Sequence, residues 1–245
     1  MNKKLWVVGI GPGDPADLTS RAKQVLSECD CIVGYDLYCD LIRPYFADKE
    51  FISTPMRGEE ERVKIALKKA DAGTRTALIC SGDAGVYGLA GLAISYAEGF
   101  PEVETEVIPG VTAATSGAAI LGAPLVHDFS VISLSDRLTP MDLIEKRLRA
   151  AAMADMVIVL YNPSSKSRPE HLKHACEVLE EVIPPERICA VAKNIGRENE
   201  TKEIMTLSEL KDADTGMFAT VFIGNSATRK MRDFMVTPRG YESER

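Results

Sequence analysis

Leu5-Trp6-Val7-Val8-Gly9-Ile10-Gly11-Pro12-Gly13-Asp14 is the stretch that decides the fold. An apolar run that breaks into a glycine-rich turn reads as a first β-strand leading to the ligand-binding edge of an α/β sheet. The register Gly11-x-Gly13-x-x-Ala16 fits a dinucleotide fingerprint, and Asp36 follows about one βα unit later, where a ribose-binding acid would stand. The details oppose a phosphate. Pro12 and Pro15 have no N–H to offer, and Asp14 places negative charge where a pyrophosphate would lie. Thr19, the first good helix cap, comes several residues late. The turn suits close backbone approach to a ligand other than a dinucleotide phosphate.

The rest of the chain alternates strand and helix. Apolar runs at 5–10, 31–34, 51–54, 76–80 and 103–108 are separated by helical patterns at 19–28, 59–72 and 86–98. Short β-rich runs spaced in this way predict a parallel, helix-covered sheet. A second series at 129–134, 156–161, 188–192, 203–206 and 218–224, with helices near 140–152 and 169–182, has closely spaced later strands and predicts a mixed sheet. The small-residue stretch 109–123 joins the halves. The expected architecture is α/β with two domains, 1–114 and 115–245, and a cleft between them, where ligand sites are favoured.

Three further motifs carry chemistry. Ser81-Gly82-Asp83 follows the strand at 76–80, so an acid stands at a strand's carboxyl end and needs a partner, such as ribose hydroxyls or a cationic group. Gly85, Gly88 and Gly91 recur at three-residue spacing in a predicted helix; each costs roughly 1 kcal/mol there relative to alanine, which implies close approach by a ligand or another backbone, with helix packing the preferred reading for Gly88 and Gly91. Pro109-Gly110-Val111-Thr112-Ala113-Ala114 opens a small-residue helix. Tyr161-Asn162-Pro163 ends a strand of the second half, and Asn162 reads equally well as a turn starter or as a ligand contact.

Composition sets the bounds. The 245 residues are 45% hydrophobic and 27% charged, as in an ordinary globular protein, and the net charge of −7 argues against a general nucleic-acid binder. No apolar run reaches membrane-spanning length, and Met-Asn-Lys-Lys leads into a strand rather than a signal peptide; a cytoplasmic protein without a membrane partner is expected. The six cysteines lack zinc spacing and read as buried reduced thiols, so no metal is expected. Cys29 and Cys31 should point apart across a helix end and a strand start.

Together these motifs resemble the tetrapyrrole (corrin) methyltransferases. The likeness runs from Gly11-Pro12-Gly13-Asp14-Pro15 through Val33-Gly34-Tyr35-Asp36, Ser81-Gly82-Asp83 and Pro109-Gly110-Val111-Thr112-Ala113 to Val221-Phe222-Ile223-Gly224-Asn225-Ser226. It covers essentially the whole chain. Gly82 to Gly88, His127 to Asp136, Leu160 to Pro163, Asn194 to Glu198 and Thr237 to Tyr241 are most similar to the subgroup that methylates C-17 of precorrin-3B with ring contraction, in cobalamin biosynthesis.

The resemblance implies the two-domain tetrapyrrole methylase fold, S-adenosylmethionine as cofactor, a corrin-precursor substrate and a homodimer. It implies that Pro12, Ser81, Gly82, Asp83, Val86, Thr112, Ala113, Asn162 and Ala192 line the methyl-donor site, many through backbone. Asn162 departs from relatives that carry a bulky apolar residue there, and the match at Ala192 is also weak. Methyl transfer needs alignment above all, whereas ring contraction also needs proton movement at an oxygen. Asp36, His127, Asp128 and Asp136 are the candidates for that work, in this order. His127 also reads as a hydrogen-bonded structural residue.

A polycarboxylate substrate needs local basic groups, a minority of Arg57, Arg137, Lys166, Arg168, Lys193, Arg197, Arg229 and Arg239. The mixed charges of 57–69 read as a solvated helix face, and His171 and His174 as solvated surface. Two other readings stay open at this point: a sibling methyltransferase acting at another macrocycle carbon, and, more remotely, a nicotinamide- or flavin-dependent oxidoreductase. Composition does not exclude a non-catalytic ligand-binding chain, though ligand motifs in both halves favour an enzyme.

Overall fold

In the computed structural model, which describes residues 3–165 and 167–241, the first five apolar runs form one sheet. Its strands are β1 (Lys4–Gly9), β2 (Cys31–Tyr35), β3 (Glu50–Thr54), β4 (Thr76–Cys80) and β5 (Glu104–Ile108). They lie in the order β3-β2-β4-β1-β5, and every pairing is parallel. A parallel sheet buries both faces, which is why its strands read as continuous apolar runs. Trp6, Val8, Ile32 and Ile79 face α1 (Ser20–Glu28) and α2 (Asp36–Ile42). Leu5, Val7, Val33 and Leu78 face α3 (Glu59–Asp71) and α4 (Ala90–Ala97). From the adjacent strands β1 and β4 the chain therefore departs in opposite directions over opposite faces. Such a topological switch opens a crevice at the carboxyl ends of those strands.

The chain divides into two compact units, Met1–Thr112 and Ala113–Arg245. In the second, β7 (Phe129–Ser133), β8 (Val157–Tyr161), β9 (Ile188–Lys193), β10 (Thr201–Thr206) and β11 (Ala219–Ile223) take the order β10-β9-β11-β8-β7. Only β7 and β8 pair in parallel, so the sheet is mixed, as expected. One face is covered by α6 (Met141–Met153), α7 (His171–Glu180) and α8 (Leu207–Leu210), and the other by α5 (Ala113–Leu121). The small residues of α5 let it lie close: a Cβ on Gly117 would come within 2.9 Å of the Phe222 ring. β6 (Gly122–Ala123), β12 (Arg229–Met231) and β13 (Phe234–Val236) make a three-stranded sheet that the sequence pattern does not reveal.

Two expectations are corrected here. The helix read from residue 86 starts at Ala90, and residues 81–89 form a loop instead. Asp83 Oδ1 accepts from Gly85 N at 2.8 Å, Tyr87 turns left-handed at φ 53°, and Ala90 N donates to Ala84 O at 3.0 Å. Gly85 and Gly88 are therefore loop residues, and a Cβ added at Gly91 would meet nothing within 4 Å, so close packing does not explain that glycine. The short α2 also escapes the sequence pattern, because its seven residues bury only Cys39 and Ile42 and show too few turns for a period.

Other details agree with the sequence. Thr19 caps α1, accepting from Ala22 N at 3.1 Å. All six cysteines are free and buried, and Cys29 and Cys31 join the cores on opposite faces of the first sheet. Burial pushes the Cys29 thiol up to about 12 and that of Cys31 to about 11. Among the described residues no helix is long and apolar enough to cross a membrane.

Candidate functional site

The carboxyl edge of the first sheet is built from backbone. Gly11 N donates to Gly82 O at 3.1 Å and Gly82 N to Gly11 O at 2.7 Å, which locks the loops after β1 and β4 together. Gly110, after β5, joins them: a Cβ at Gly9 would lie 2.7 Å from both Gly110 N and Gly82 O. Asp83 finds its partners within the protein, since Oδ1 takes the Gly85 N–H and Oδ2 the Gly110 N–H at 2.9 Å. Its carboxylate thus fixes the edge, besides any ligand contact. Asp14 caps the turn Pro15–Asp17, accepting from Ala16 N at 2.8 Å, so a protein carboxylate already occupies the place an anion would take. This geometry agrees with the reading against a dinucleotide phosphate.

Around that edge stand Pro12, half-buried Ser81, Val86 and Thr112, and Asp36 in the first turn of α2 at the carboxyl end of β2. Sequence reasoning missed Arg62 here. It is only 5% exposed, donating to Thr54 Oγ1 at 2.8 Å and to Pro55 O at 3.0 Å, with Tyr35 beneath it. The helix face expected to be solvated is therefore interrupted by a buried guanidinium that holds the loop after β3.

In the second unit the carboxyl ends of β7 and β8 are built from side chains. Tyr161 Oη accepts from Ala114 N at 2.7 Å, tying the strand end to the start of α5, where Ala113 lies. Asn162 is left-handed, φ 54°, and donates through Nδ2 to Ser133 Oγ at 2.9 Å. Ser133 Oγ also accepts from Ser135 N at 3.2 Å. Arg168 donates to Ser135 Oγ at 2.6 Å and lies 3.5 Å from Asp136 Oδ1. His171 Nε2 lies 3.3 Å from Asp136 Oδ2. Desolvation works against ionisation of Asp136, but the adjoining His171 and Arg168 outweigh it and hold its carboxyl below the ordinary value.

His171 therefore does not fit the expected solvated surface: its Nε2 is buried, because the loop carrying Asp136 covers the start of α7. His174, one turn on, pairs with Glu145 at 2.8 Å. Ala192 is wholly buried in β9 between β10 and β11.

His127 and Asp128 stand elsewhere. They precede β7, whereas Asp136 and Asn162 follow β7 and β8, so the five residues of a strand, roughly 15 Å, separate the two groups. There His127 and Asp128 border a groove of about 560 Å³ with Asp155, Met156 and Asn225. Of the basic residues, Arg168 joins the Asp136 cluster, Arg197 stacks 4.7 Å over Phe218, and Lys193 donates to the Asp214 carbonyl. Arg57, Arg137, Arg229 and Arg239 are exposed, and Lys166 lies outside the described residues. No group of three or more His, Cys, Asp or Glu suited to a metal occurs among the described residues.

Residues 4–211 match the family model of the tetrapyrrole (corrin/porphyrin) methylases. The chain belongs to that family. It is 43% identical over 238 residues to a probable cobalt-factor III C(17)-methyltransferase of Salmonella typhimurium, covering 97% of this chain and 99% of that protein. It is 37% identical over 252 residues to a precorrin-3B C(17)-methyltransferase of Sinorhizobium sp, covering 98% of each. A cobalt-factor III methyltransferase of Priestia megaterium is also 43% identical, but this chain spans only 46% of its length. The crystal structure of the methyltransferase CobJ superposes with a TM-score of 0.88 at 36% identity, covering 96% of this chain and 99% of that one. The methylase family removes the ground for the oxidoreductase reading.

Proposed function

We propose that this chain methylates C-17 of a corrin precursor, with ring contraction, in cobalamin biosynthesis. The observation that carries the reading is its likeness, over nearly the full length of both chains, to C(17)-methyltransferases. The higher identity to proteins named for cobalt-factor III favours the cobalt-containing substrate over precorrin-3B. A homodimer and a cytoplasmic setting belong to the same reading.

When bound, S-adenosylmethionine supplies an electrophilic methyl group on a sulfonium. The residues fit such a donor: a Cβ at Gly9 or Gly110 would strike the backbone of the neighbouring loops, Gly82 O included, so the edge presents backbone beside Ser81 and Thr112. Pro12, Gly82, Asp83, Val86 and Asn162 lie in the loops that follow β1, β4 and β8, and Ala113 begins α5, where backbone and short side chains can hold a ligand. Ala192 could touch it only through backbone, since its side chain is buried. Alignment is the main catalytic contribution asked of these groups. Asp36 and Asp136 each place a carboxylate at a strand's carboxyl end, where proton movement during contraction would need one.

The test is incubation with S-adenosylmethionine and, separately, precorrin-3B and its cobalt form, with mass spectrometry and carbon NMR of the product. One added methyl at C-17 with the C-20 bridge expelled is expected. Methylation at another carbon would make the chain a sibling enzyme, and absence of both transfer and donor binding would overturn the reading.

A further inference from the structure

Three side chains of the second unit bury a polar atom without a hydrogen-bond partner among the described residues, Ser130, His171 and Thr215, and of these His171 alone stands beside a carboxylate of the Asp136 cluster. Its Nε2 is shielded from solvent and has no hydrogen-bond partner among the described residues, yet it lies 3.3 Å from Asp136 Oδ2. A buried ring nitrogen without a partner is costly unless something restores the bond. Asp136 itself is 40% exposed, so its carboxylate, between Arg168 and His171, remains open to solvent. The polar chain Asn162–Ser133–Ser135–Arg168 leads from the end of β8 to this pair, with contacts of 2.9, 3.2 and 2.6 Å. Arg168 leaves its guanidinium on Asp136 Oδ1 at 3.5 Å, which keeps Oδ2 for His171.

We propose that Asp136 is the carboxylate that takes a proton from the macrocycle and that His171 is its positioning partner, holding that proton behind it. The proposal rests on the methyltransferase reading above. Methyl transfer from a sulfonium breaks the S–C bond with its electron pair left on sulfur. The new C–C bond uses a π pair of the macrocycle, which gains one positive charge. That charge is discharged by breaking an O–H or N–H bond of the macrocycle. The proton goes to the carboxylate of Asp136, a small rotation of the carboxyl closes the hydrogen bond to His171 Nε2, and the proton crosses to the ring. It leaves to water through the solvent-open Asp136, which restores the pair. Methyl transfer with the loss of this proton changes no net oxidation state.

The test compares His171→Ala and His171→Gln with the wild type in single turnovers, alongside S-adenosylmethionine binding by calorimetry. Expected are rates about 10–100-fold lower in both variants, donor affinity within about twofold of wild type, and severalfold recovery of His171→Ala alone on adding imidazole. Gln fills the site and can hydrogen-bond but cannot carry the proton, so wild-type turnover by His171→Gln would overturn the proposal. A soluble His171→Ala that ignores imidazole would overturn it as well; if His171→Ala does not fold, the rate of His171→Gln decides. A wild type that forms no S-adenosylhomocysteine from any tetrapyrrole would instead be a failure of the methyltransferase reading, and is told apart by that control.

Discussion

The two ends of β8 carry nearly the same chemistry. Asp155 before the strand and Asn162 after it are both left-handed, at φ 53° and 54°. At one end Asp155 holds Ser226 through its N–H at 2.8 Å and its hydroxyl at 2.6 Å, with Arg187 at 3.3 Å; His127 and Asp128 stand nearby. At the other end Asp136 faces Arg168 and His171, with Asn162 on Ser133. Residue types do not tell these ends apart. What differs is where the bonds go. Asp155 spends its carboxylate on the N–H and hydroxyl of Ser226 and on Arg187, whereas Asp136, besides its own backbone N–H, faces the side chains of Arg168 and His171 and stays partly open to solvent. The carboxyl ends of parallel strands are also where α/β proteins place ligands, and β7 and β8 are the parallel pair.

The sharpest way to break this contrast is to neutralise each acid. Asp136→Asn is expected to lower the single-turnover rate by about 100-fold, in the range of lost general acid–base catalysis, with donor binding kept. Asp155→Asn is expected to stay within about threefold. Equal losses from both, measured as S-adenosylhomocysteine released per enzyme, would mean that strand direction does not mark the reacting end.

A second contrast concerns the left-handed residues. Asn162→Val should cost about 1–2 kcal/mol in urea unfolding, because a branched Cβ is strained in that region. Asn162→Gly should relieve the strain and lose only the Ser133 contact, so it should unfold nearer to wild type. If Gly and Val cost the same, the side chain rather than the backbone holds the turn.

Much of this is legible in the sequence, for physical reasons that can be named. The parallel sheet shows because both of its faces are buried, so Leu5 to Val8 and Thr76 to Cys80 read as unbroken runs. The thin glycine edge shows because Gly9 ends one strand while Gly82 and Gly110 follow two others. The loop at 81–89 does not show, because Gly85, Gly88 and Gly91 mimic a helical period while the Asp83 carboxylate folds the backbone into turns. Nor can spacing separate His127 and Asp128 from Asp136, since all three lie within ten residues and only the strand between them sends them to opposite ends. The burial of His171 is hidden because nothing local tells that a loop more than thirty residues earlier covers it. Its neighbour at Glu170 and the charged surface of α7 point to solvent.

Acid should weaken both ends alike. Asp136 and Asp155 are desolvated, but their hydrogen-bonding and cationic neighbours hold both carboxyls below the ordinary value. A carboxyl depressed in the folded state adds stability that is fully present above its unfolded pKa, near 4, and is lost as pH falls through the lower folded value. Tm should therefore decline below about pH 4, and Asp136→Asn or Asp155→Asn should each flatten part of that decline. Both groups are partly solvent-exposed, so the effect of either alone is small. A variant whose acid limb superposes on the wild type would show that its carboxyl is not depressed.

The smallest expected effect is the most discriminating for the site itself. His127 is a candidate for proton transfer on sequence grounds, yet it stands at the Asp155 end, exposed beside the groove rather than beside Asp136 or Asn162. A group must come within hydrogen-bond reach of the proton it moves, directly or through one water, and a strand's length of roughly 15 Å exceeds that reach. His127→Ala should accordingly change the single-turnover rate by less than about threefold, far short of a general acid or base, while His171→Ala falls by an order of magnitude or more. Should the two results be reversed, the reacting end of β8 is the one that begins it, and the Asp136 cluster is structural.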